Sequence, residues 1–509
     1  MGGRRVPARS DLHGGAIATE TPPTASEAPR RTGLRRELRF WEAIALSIAI
    51  MAPTAAMALN GTAPAAEIGR AVPLAFIFAT VGVLFVSYAF IRLSRYFSHA
   101  GSVFAFSGVT LGPRAGFFAG WALLGTYFAF TCASTAEAGA FGVAFLSGAN
   151  IDKSADYVVI ALIAAVIIAF LAYGDIRVAT RSLLGFEGIS VTLILILMVV
   201  IVVKLIGGSA PHHQGITAQA FSIPGGTPFS AVATASVFGF LSFAGFEGAA
   251  SLGEETDNPR REIPRAIRNA VVASGIFYIL CILVQTWGFG TDAAGVKAFS
   301  TSGSPLGDLA HSYVGSAMED AINAGATLSA FASGLGAATA GARILFALAR
   351  DTRLANVLGR TSTRTGAPAG ALTVTLLVGV AAIVAQRVAG VSATNAFFYP
   401  GTLGVLSLLV AYLVTNVGAI RHLFIRARRA PLWEIIFPIL GIVFLVYTLD
   451  KNVFGVAFPY SRFPLVVGIW LAIGLAIVLF TPRLAAAIGV SLARDEGLEP
   501  PAATESARA

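Results

Sequence analysis

Twelve apolar runs, each about long enough to cross a lipid bilayer, constrain this chain more than any other feature of its sequence. They occupy residues 41–61, 72–94, 115–147, 156–174, 181–206, 229–250, 266–290, 320–349, 370–389, 395–417, 432–449 and 463–481. About 20 residues of α-helix cross ~30 Å of hydrocarbon, and a helix satisfies its own backbone polar groups there. With 56% hydrophobic and only 12% charged residues, the composition excludes an ordinary soluble protein. We predict an all-α polytopic membrane protein with twelve transmembrane helices.

The basic residues predict how these helices are oriented. If the N-terminus is cytoplasmic, most of the 36 Lys and Arg residues fall on the cytoplasmic side, including the groups at 92–114, 260–268 and 421–429. We therefore expect both termini in the cytoplasm, with residues 1–39 a basic disordered tail and residues 482–509 a second disordered tail. The positive-inside bias accounts for the net charge of +9, so we expect a lipid bilayer as partner and no nucleic acid. The plasma membrane is the expected location, and the oligomeric state stays open.

Two of the predicted spans are interrupted near their middles. The sixth is broken at Ser242, Phe243, Ala244 and Gly245, and Glu247 follows at membrane depth. The first is broken around Met51–Thr54, where Pro53 removes a backbone donor; a simple proline kink is the alternative. Irregular backbone inside a membrane is tolerated where it lines a cavity, so we interpret the sixth span as one wall of a transport site.

The spacing of the two interruptions predicts an internal repeat. Five spans separate the starts of the two broken helices, and two inverted five-helix repeats would place the breaks face to face. We predict a first repeat at 40–206, an external loop at 207–228, a second repeat at 229–417 and helices 11 and 12 at 418–481.

Polar residues inside the other spans are candidates for partners of an ion or substrate. A buried carboxylate costs ~2.5–3.5 kcal/mol on insertion scales, so Glu137 in the third span and Glu187 in the fifth must face protein or water. For both, a structural pairing is the alternative to a functional role. Ser333 and Thr339 in the eighth span have hydroxyls that can contact a cation beside the first helix.

The sequence contains no pattern that favours an enzyme. A Walker A loop, HExxH, a dinucleotide fingerprint and GxSxG are all missing, and we predict neither a cofactor nor a metal site. Cys132 and Cys281 fall within spans and are expected to be core residues. Without an ATP-binding motif, uphill transport would depend on an ion gradient.

Three motifs then indicate a family. GFEGAASLGEETDNPRREIPRAI, ARILFALARDTRLANVLGR and YPGTLGVLSLLVAYLVTNVGAIR occur in this order, and the chain over about 38–480 resembles the amino acid–polyamine–organocation (APC) superfamily of permeases. The resemblance implies a leucine-transporter-like fold, a 5+5 inverted repeat with substrate bound among helices 1, 3, 6, 8 and 10.

The resemblance also implies which residues bind the substrate. A substrate carboxylate would meet the backbone amides of broken helix 1 and its ammonium the carbonyls of broken helix 6. The implied substrate-binding residues are Ala52, Pro53, Thr54, Ala55, Ser242, Phe243, Ala244 and Gly245. Tyr127 in the third span and Tyr399 in the tenth are further candidates for substrate binding. Glu247 matches an acidic position that is implicated in proton coupling in some members.

This sequence departs from the family pattern at two places. Met-Ala-Pro-Thr replaces the usual glycine-rich break of helix 1, so Thr54 is expected to contribute its hydroxyl. Some members carry a lysine in helix 5 where this chain has Ser190, with Glu187 close by. The candidate coupling residues are therefore Glu247, Glu187, Ser190, Ser333 and Thr339.

The predicted function is import of an amino acid or related amine by proton symport with alternating access. A sodium symporter or an exchanger of the same fold is the first alternative, and a membrane scaffold that transports nothing is the second.

Overall fold

The computed structural model describes residues 40–98, 101–152, 154–174, 176–211, 213–253, 256–349, 357–359, 361–362 and 367–482, with positions 2, 486–487 and 489–490. The side chains of residue 42 and of residues 176–183 are outside this description. Almost all of both predicted tails, together with His99, Glu254 and Glu255 of the loops, lie outside the described residues.

The described part of the chain is built from α-helices and contains no β-strand. In chain order the helices are α1 Phe40–Met51, α2 Pro53–Leu59, α3 Thr62–Ile68, α4 Val72–Leu93, α5 Val103–Leu111, α6 Pro113–Gly148, α7 Tyr157–Ala172, α8 Ile176–Ile206, α9 Ser230–Phe243, α10 Pro259–Phe289, α11 Ala293–Thr301, α12 Pro305–Tyr313, α13 Ser316–Ala349, α14 Ala369–Val388, α15 Ala393–Ile420, α16 Ile436–Val453 and α17 Phe463–Phe480. The prediction of an all-helical chain is confirmed.

Ten segments of the described chain are long and apolar enough to cross a membrane, and they coincide with ten of the predicted runs. The two remaining runs, the first and the fourth, contain shorter apolar helices at Ala43–Leu59 and Tyr157–Ala172. A 16-residue helix spans ~24 Å at 1.5 Å per residue, somewhat less than the hydrocarbon thickness.

The helices divide into a buried centre and an apolar periphery. The segments at Ser230–Leu252 and Ser316–Ala349 are the most deeply buried of the ten, while those that contain α16 and α17 are the least buried. Large exposed side chains such as Phe170 and Phe480 lie on this periphery. Because lipid is as apolar as a protein core, an outer helix in a membrane does not need a polar face.

Small residues let α13 approach its neighbours closely. A Cβ atom added at Gly334 would lie 3.1 Å from the Thr135 hydroxyl on α6, and one at Gly341 would lie 3.0 Å from Tyr127 Cβ. Glycine at these positions therefore permits close helix–helix contact.

Some local features were not among the twelve predicted runs. The segment after the second span contains the buried helix α5. Its run VFAFSGVTL is too short to span a bilayer but apolar enough to pack against α6. Helix α15 continues through the Pro400-Gly401 pair of the tenth span, since neighbouring helices can compensate for a missing donor.

Candidate functional site

The backbone of the first span changes direction at a single residue. Helix α1 ends at Met51, Ala52 adopts the left-handed conformation with φ 42° and ψ 66°, and α2 begins at Pro53. Proline suits a first helical position because its missing N–H would have no helical partner there. An L-residue such as alanine is strained at positive φ, so the surrounding contacts must hold Ala52 in place.

The amides around this turn are bonded within the protein. Thr54 N donates to Glu187 Oε1 on α8 at 2.8 Å, and Ala55 N donates to the Ser329 hydroxyl on α13 at 3.1 Å. Ala52 N donates to the Ile48 carbonyl at 2.8 Å and Ala56 N to the Ala52 carbonyl at 2.9 Å. The start of α2, whose first amides have no helical partner, is therefore capped by side chains from two other helices.

The sixth predicted span also changes its backbone conformation near its middle. Helix α9 ends at Phe243, Gly245 has φ 102°, and a 3₁₀ helix follows over Phe246–Leu252. A side chain at residue 245 is excluded, because its Cβ would lie 2.2 Å from Ile50 Cγ2. The Ser242 carbonyl accepts a hydrogen bond of 2.9 Å from the Tyr278 hydroxyl on α10.

The two irregular segments contact each other directly. Ile50, at the end of α1, lies against three glycines: Cβ atoms added at Gly245, Gly248 and Gly336 would all lie within 2.7 Å of its side chain. The Ser47 hydroxyl donates to the Phe246 carbonyl at 2.9 Å and accepts from Ala249 N at 2.9 Å. The end of α1 is thus fixed to the 3₁₀ helix by hydrogen bonds as well as by packing.

A small cavity of about 30 Å³ lies between these segments, room for a water molecule or two. It is lined by Ile50, Met51, Ala52, Ala56, Asn60, Phe130, Ala133, Ser134, Glu137, Leu241, Ala244, Ser333 and Phe397. Helices α1, α2, α6, α9, α13 and α15 all contribute to this lining. A larger ligand requires the side chains around it to move.

The polar atoms of this cavity differ in how well they are satisfied. The hydroxyls of Ser134 and Ser333 share a hydrogen bond of 2.9 Å, and Ser333 also donates to the Ile50 carbonyl at 2.8 Å. Asn60 donates to the Ser242 hydroxyl at 2.7 Å, but its Oδ1 has no partner. Glu137 Oε1 is buried without a partner as well.

Glu247 lies in the 3₁₀ helix that follows the second interruption and is completely buried. Tyr127 on α6 donates a hydrogen bond of 3.0 Å to its Oε1, and Tyr412 on α15 donates to its Oε2. The carboxylate therefore connects the 3₁₀ helix to both α6 and α15.

The structure places the predicted substrate residues at different distances from the cavity. Ala52 and Ala244 line it. Thr54 and Ala55 are occupied by the contacts to Glu187 and Ser329 described above, and Ser242 supports Asn60. Pro53, Phe243 and Gly245 are buried in the two segments but are not among the lining residues.

Both predicted tyrosines lie outside the cavity lining. Tyr127 is directed to Glu247. Tyr399 packs against Tyr460 and Phe463, with ring centroids 5.8 and 5.5 Å away.

Of the predicted coupling residues, Glu187 and Ser333 make contacts to the first interruption, as given above. Ser190 donates to the Phe186 carbonyl and Thr339 to the Gly336 carbonyl, each at 3.0 Å and each within its own helix. These two hydroxyls therefore form local helical bonds rather than a shared oxygen cluster.

Sequence reasoning missed several residues of the site. The cavity lining includes Asn60, Phe130, Leu241 and Phe397. Tyr412 donates a hydrogen bond to Glu247, and Ser329 accepts one from the Ala55 amide. Tyr412 and Ser329 each appear in the sequence as a single polar side chain within an apolar span. Because their partners lie at no fixed sequence distance, the sequence pattern does not reveal them.

The comparison with known families agrees with the helical architecture. A family model described as amino acid permease matches residues 43–485. The chain belongs to the amino acid permease family. The resemblance to the APC superfamily drawn from three motifs is confirmed by this match. Amino acid permeases are multi-pass membrane transport proteins rather than enzymes.

The relatives of this amino acid permease are distant and carry different substrates in their names. It is 24% identical over 403 residues to the low-affinity putrescine importer PlaP of Escherichia coli, covering 78% of this chain and 83% of the importer. It is 24% identical over 469 residues to the branched-chain amino acid permease BcaP of Lactococcus lactis, covering 85% and 92%. Its identity to the BcaP of Bacillus subtilis is 27% over 269 residues, covering 50% and 55%.

Proposed function

We propose that this permease is a secondary active transporter that imports an amino acid or a related amine by proton symport with alternating access. One observation carries the proposal: a cavity lies between two helices whose backbones are interrupted at facing positions, with a buried carboxylate, Glu247, at the adjoining 3₁₀ helix. The names of the relatives, a putrescine importer and branched-chain amino acid permeases, support the substrate class.

The proposed architecture has twelve spans in a 5+5 inverted repeat. The pair α1 and α2 forms the first interrupted span, and α9 with the 3₁₀ helix forms the sixth. The repeats cover 40–206 and 229–417. The protein lies in the plasma membrane with both termini in the cytoplasm, as the distribution of Lys and Arg favours.

Glu247 is the proposed site of the coupled proton. Its contacts come from α6 and α15, so a rocking of one helix bundle against the other would break or remake the hydrogen bonds from Tyr127 and Tyr412. A carboxyl that loses hydrogen-bond donors in one conformation and regains them in the other binds a proton with different affinity in the two. This difference is what couples a proton gradient to a conformational change.

Uptake into proteoliposomes with an imposed proton gradient tests the coupling. We expect Glu247→Gln to abolish accumulation driven by the gradient while leaving exchange of substrate across the membrane. Accumulation by this variant at the wild-type level would refute the proton role of Glu247.

A sodium symporter and an exchanger are the alternative functions in the same fold. Dependence of uptake on sodium at fixed pH identifies the first. Uptake that occurs only with substrate loaded on the opposite side identifies the second. The third alternative, a scaffold, predicts that no amine or amino acid raises the unfolding temperature of the purified protein.

A further inference from the structure

The most unusual feature of the cavity is a carboxylate without a partner. Glu137 on α6 is 3% exposed, it lines the cavity, and its Oε1 accepts no hydrogen bond. None of the described residues that line the cavity carries a positive charge. An unpaired carboxyl group at membrane depth is unfavourable, so a group that complements it is expected to enter from outside the protein.

A second polar atom in the same cavity points to the same kind of ligand. Asn60 directly follows the last residue of α2, and its Oδ1 is a buried acceptor without a donor. The amide nitrogen of Asn60 already has a partner, because Nδ2 bonds to the Ser242 hydroxyl at 2.7 Å. The two buried lining atoms without a partner, Glu137 Oε1 and Asn60 Oδ1, are both acceptor oxygens. An ammonium group, with three donors and no acceptor, complements them.

The first interruption, around Ala52, has no free backbone amide to bind a substrate carboxylate. The amides of Ala52, Thr54, Ala55 and Ala56 all donate within the protein, and Pro53 has none to give. The acceptor for Thr54 is already a carboxylate, that of Glu187. A substrate carboxylate would have to displace Glu187 or Ser329 and approach a like charge, which is unfavourable.

From these two observations we infer that the substrate is an organic amine without a carboxylate, and that Glu137 selects it by pairing with an ammonium group. The inference rests on the proposed transport function and narrows its substrate class.

Uptake by the full-length protein in proteoliposomes tests the inference, with radiolabelled putrescine as probe and unlabelled lysine and leucine as competitors. We expect putrescine to be transported and neither amino acid to compete well, although lysine shares the distal ammonium group. This wild-type measurement decides the carboxylate question without any variant. Lysine or leucine competing as strongly as unlabelled putrescine would overturn the inference and leave the transport function standing.

Substitutions then test the pairing. Glu137→Gln is expected to raise the KM for putrescine about thirtyfold, which corresponds to about 2 kcal/mol for a lost buried charge pair. Glu137→Asp retains the charge and should raise the KM for putrescine less. This variant tests the pairing if the glutamine variant unfolds. Glu319→Gln, on the same protein but outside the cavity, should leave the KM unchanged.

Two outcomes contradict the inference in different ways. An unchanged KM in folded Glu137→Gln overturns the role of Glu137. The absence of uptake and of any thermal shift with putrescine, lysine and leucine in the wild-type protein overturns the inference together with the proposed transport function.

Discussion

The amide of Thr54 donates a hydrogen bond of 2.8 Å to the carboxylate of Glu187. The bond joins the start of α2 to the first half of α8, and it gives a carboxylate in an apolar helix a backbone amide as partner. A negative group at a helix N-terminus is favourable because the first amides point toward it. If the role of Glu187 is structural, the Thr54 amide is therefore the group with which it pairs.

Removal of the Glu187 carboxylate should destabilise the protein. Glu187→Ala leaves the buried Thr54 amide without an acceptor, and we expect a loss of about 1–3 kcal/mol in the free energy of unfolding. Glu187→Gln keeps an acceptor oxygen at the same position and should lose less. Thermal unfolding of the purified variants in detergent measures both, and equal unfolding temperatures for the alanine variant and the wild type would contradict the role.

The two tyrosines that contact Glu247 should matter for transport. Tyr412→Phe and Tyr127→Phe each remove one hydroxyl donor from the carboxylate. A hydrogen bond to a charged group contributes about 1.5–3 kcal/mol, so we expect each variant to lower gradient-driven uptake about tenfold or more. Tyr399→Phe is the matched control, because the Tyr399 ring packs against Tyr460 and Phe463 outside the cavity lining.

The packing of Ile50 can be tested by a rescue. A methyl group added at Gly248 would lie 2.7 Å from Ile50 Cδ1, and overpacking of this kind costs about 1–3 kcal/mol. We expect Gly248→Ala to lower the unfolding temperature and Ile50→Val, which lacks Cδ1, to restore much of it in the double variant.

Gly336→Ala provides the control for this rescue. Its added methyl would lie 2.7 Å from Ile50 Cγ1 instead, and valine keeps a carbon at the γ position. The Ile50→Val substitution should therefore rescue Gly248→Ala and fail to rescue Gly336→Ala. Equal rescue of both would show that the contact with Cδ1 does not determine the effect.

Asp156 should contribute stability that depends on pH. It caps α7 by accepting from Val158 N at 3.0 Å and pairs with Arg387 Nε at 2.9 Å. The Val158 amide, followed by the Arg387 guanidinium, holds the pKa of the Asp156 carboxyl below its ordinary value. Because the folded pKa is lowered, the stabilisation is present above the unfolded pKa of about 3.9 and is lost as the pH falls through the lower folded value.

Variants of Asp156 separate the cap from the charge. Asp156→Ala should cost about 1 kcal/mol at neutral pH through loss of the cap, and its difference from the wild type should shrink when unfolding is measured at low pH. Asp156→Asn keeps a capping oxygen and should lose less. A difference between Asp156→Ala and the wild type that grows as the pH falls would contradict the assignment.

The sequence predicted the helical segments well because a bilayer imposes a length and a composition on each of them. It predicted less about α5, α11 and α12, which are too short to carry a membrane signal. Glu137, Glu187 and Glu247 could be singled out, since a carboxylate in an apolar run is conspicuous. The contacts around these carboxylates depend on how the helices pack. Tyr412 is 165 residues from Glu247 along the chain, and Ser329 is 274 residues from Ala55.

Ile50 meets bare backbone on both sides, at Gly245 and Gly248 on one and at Gly336 on the other. On the first side, hydrogen bonds through Ser47 tie α1 to the 3₁₀ helix. On the α13 side, residue 336 presents only backbone to the isoleucine, and Ser333 of the same helix donates to the Ile50 carbonyl at 2.8 Å. The end of α1 is therefore held on both sides by serine hydroxyls, and any displacement of α1 along α13 would have to break the hydrogen bond from Ser333.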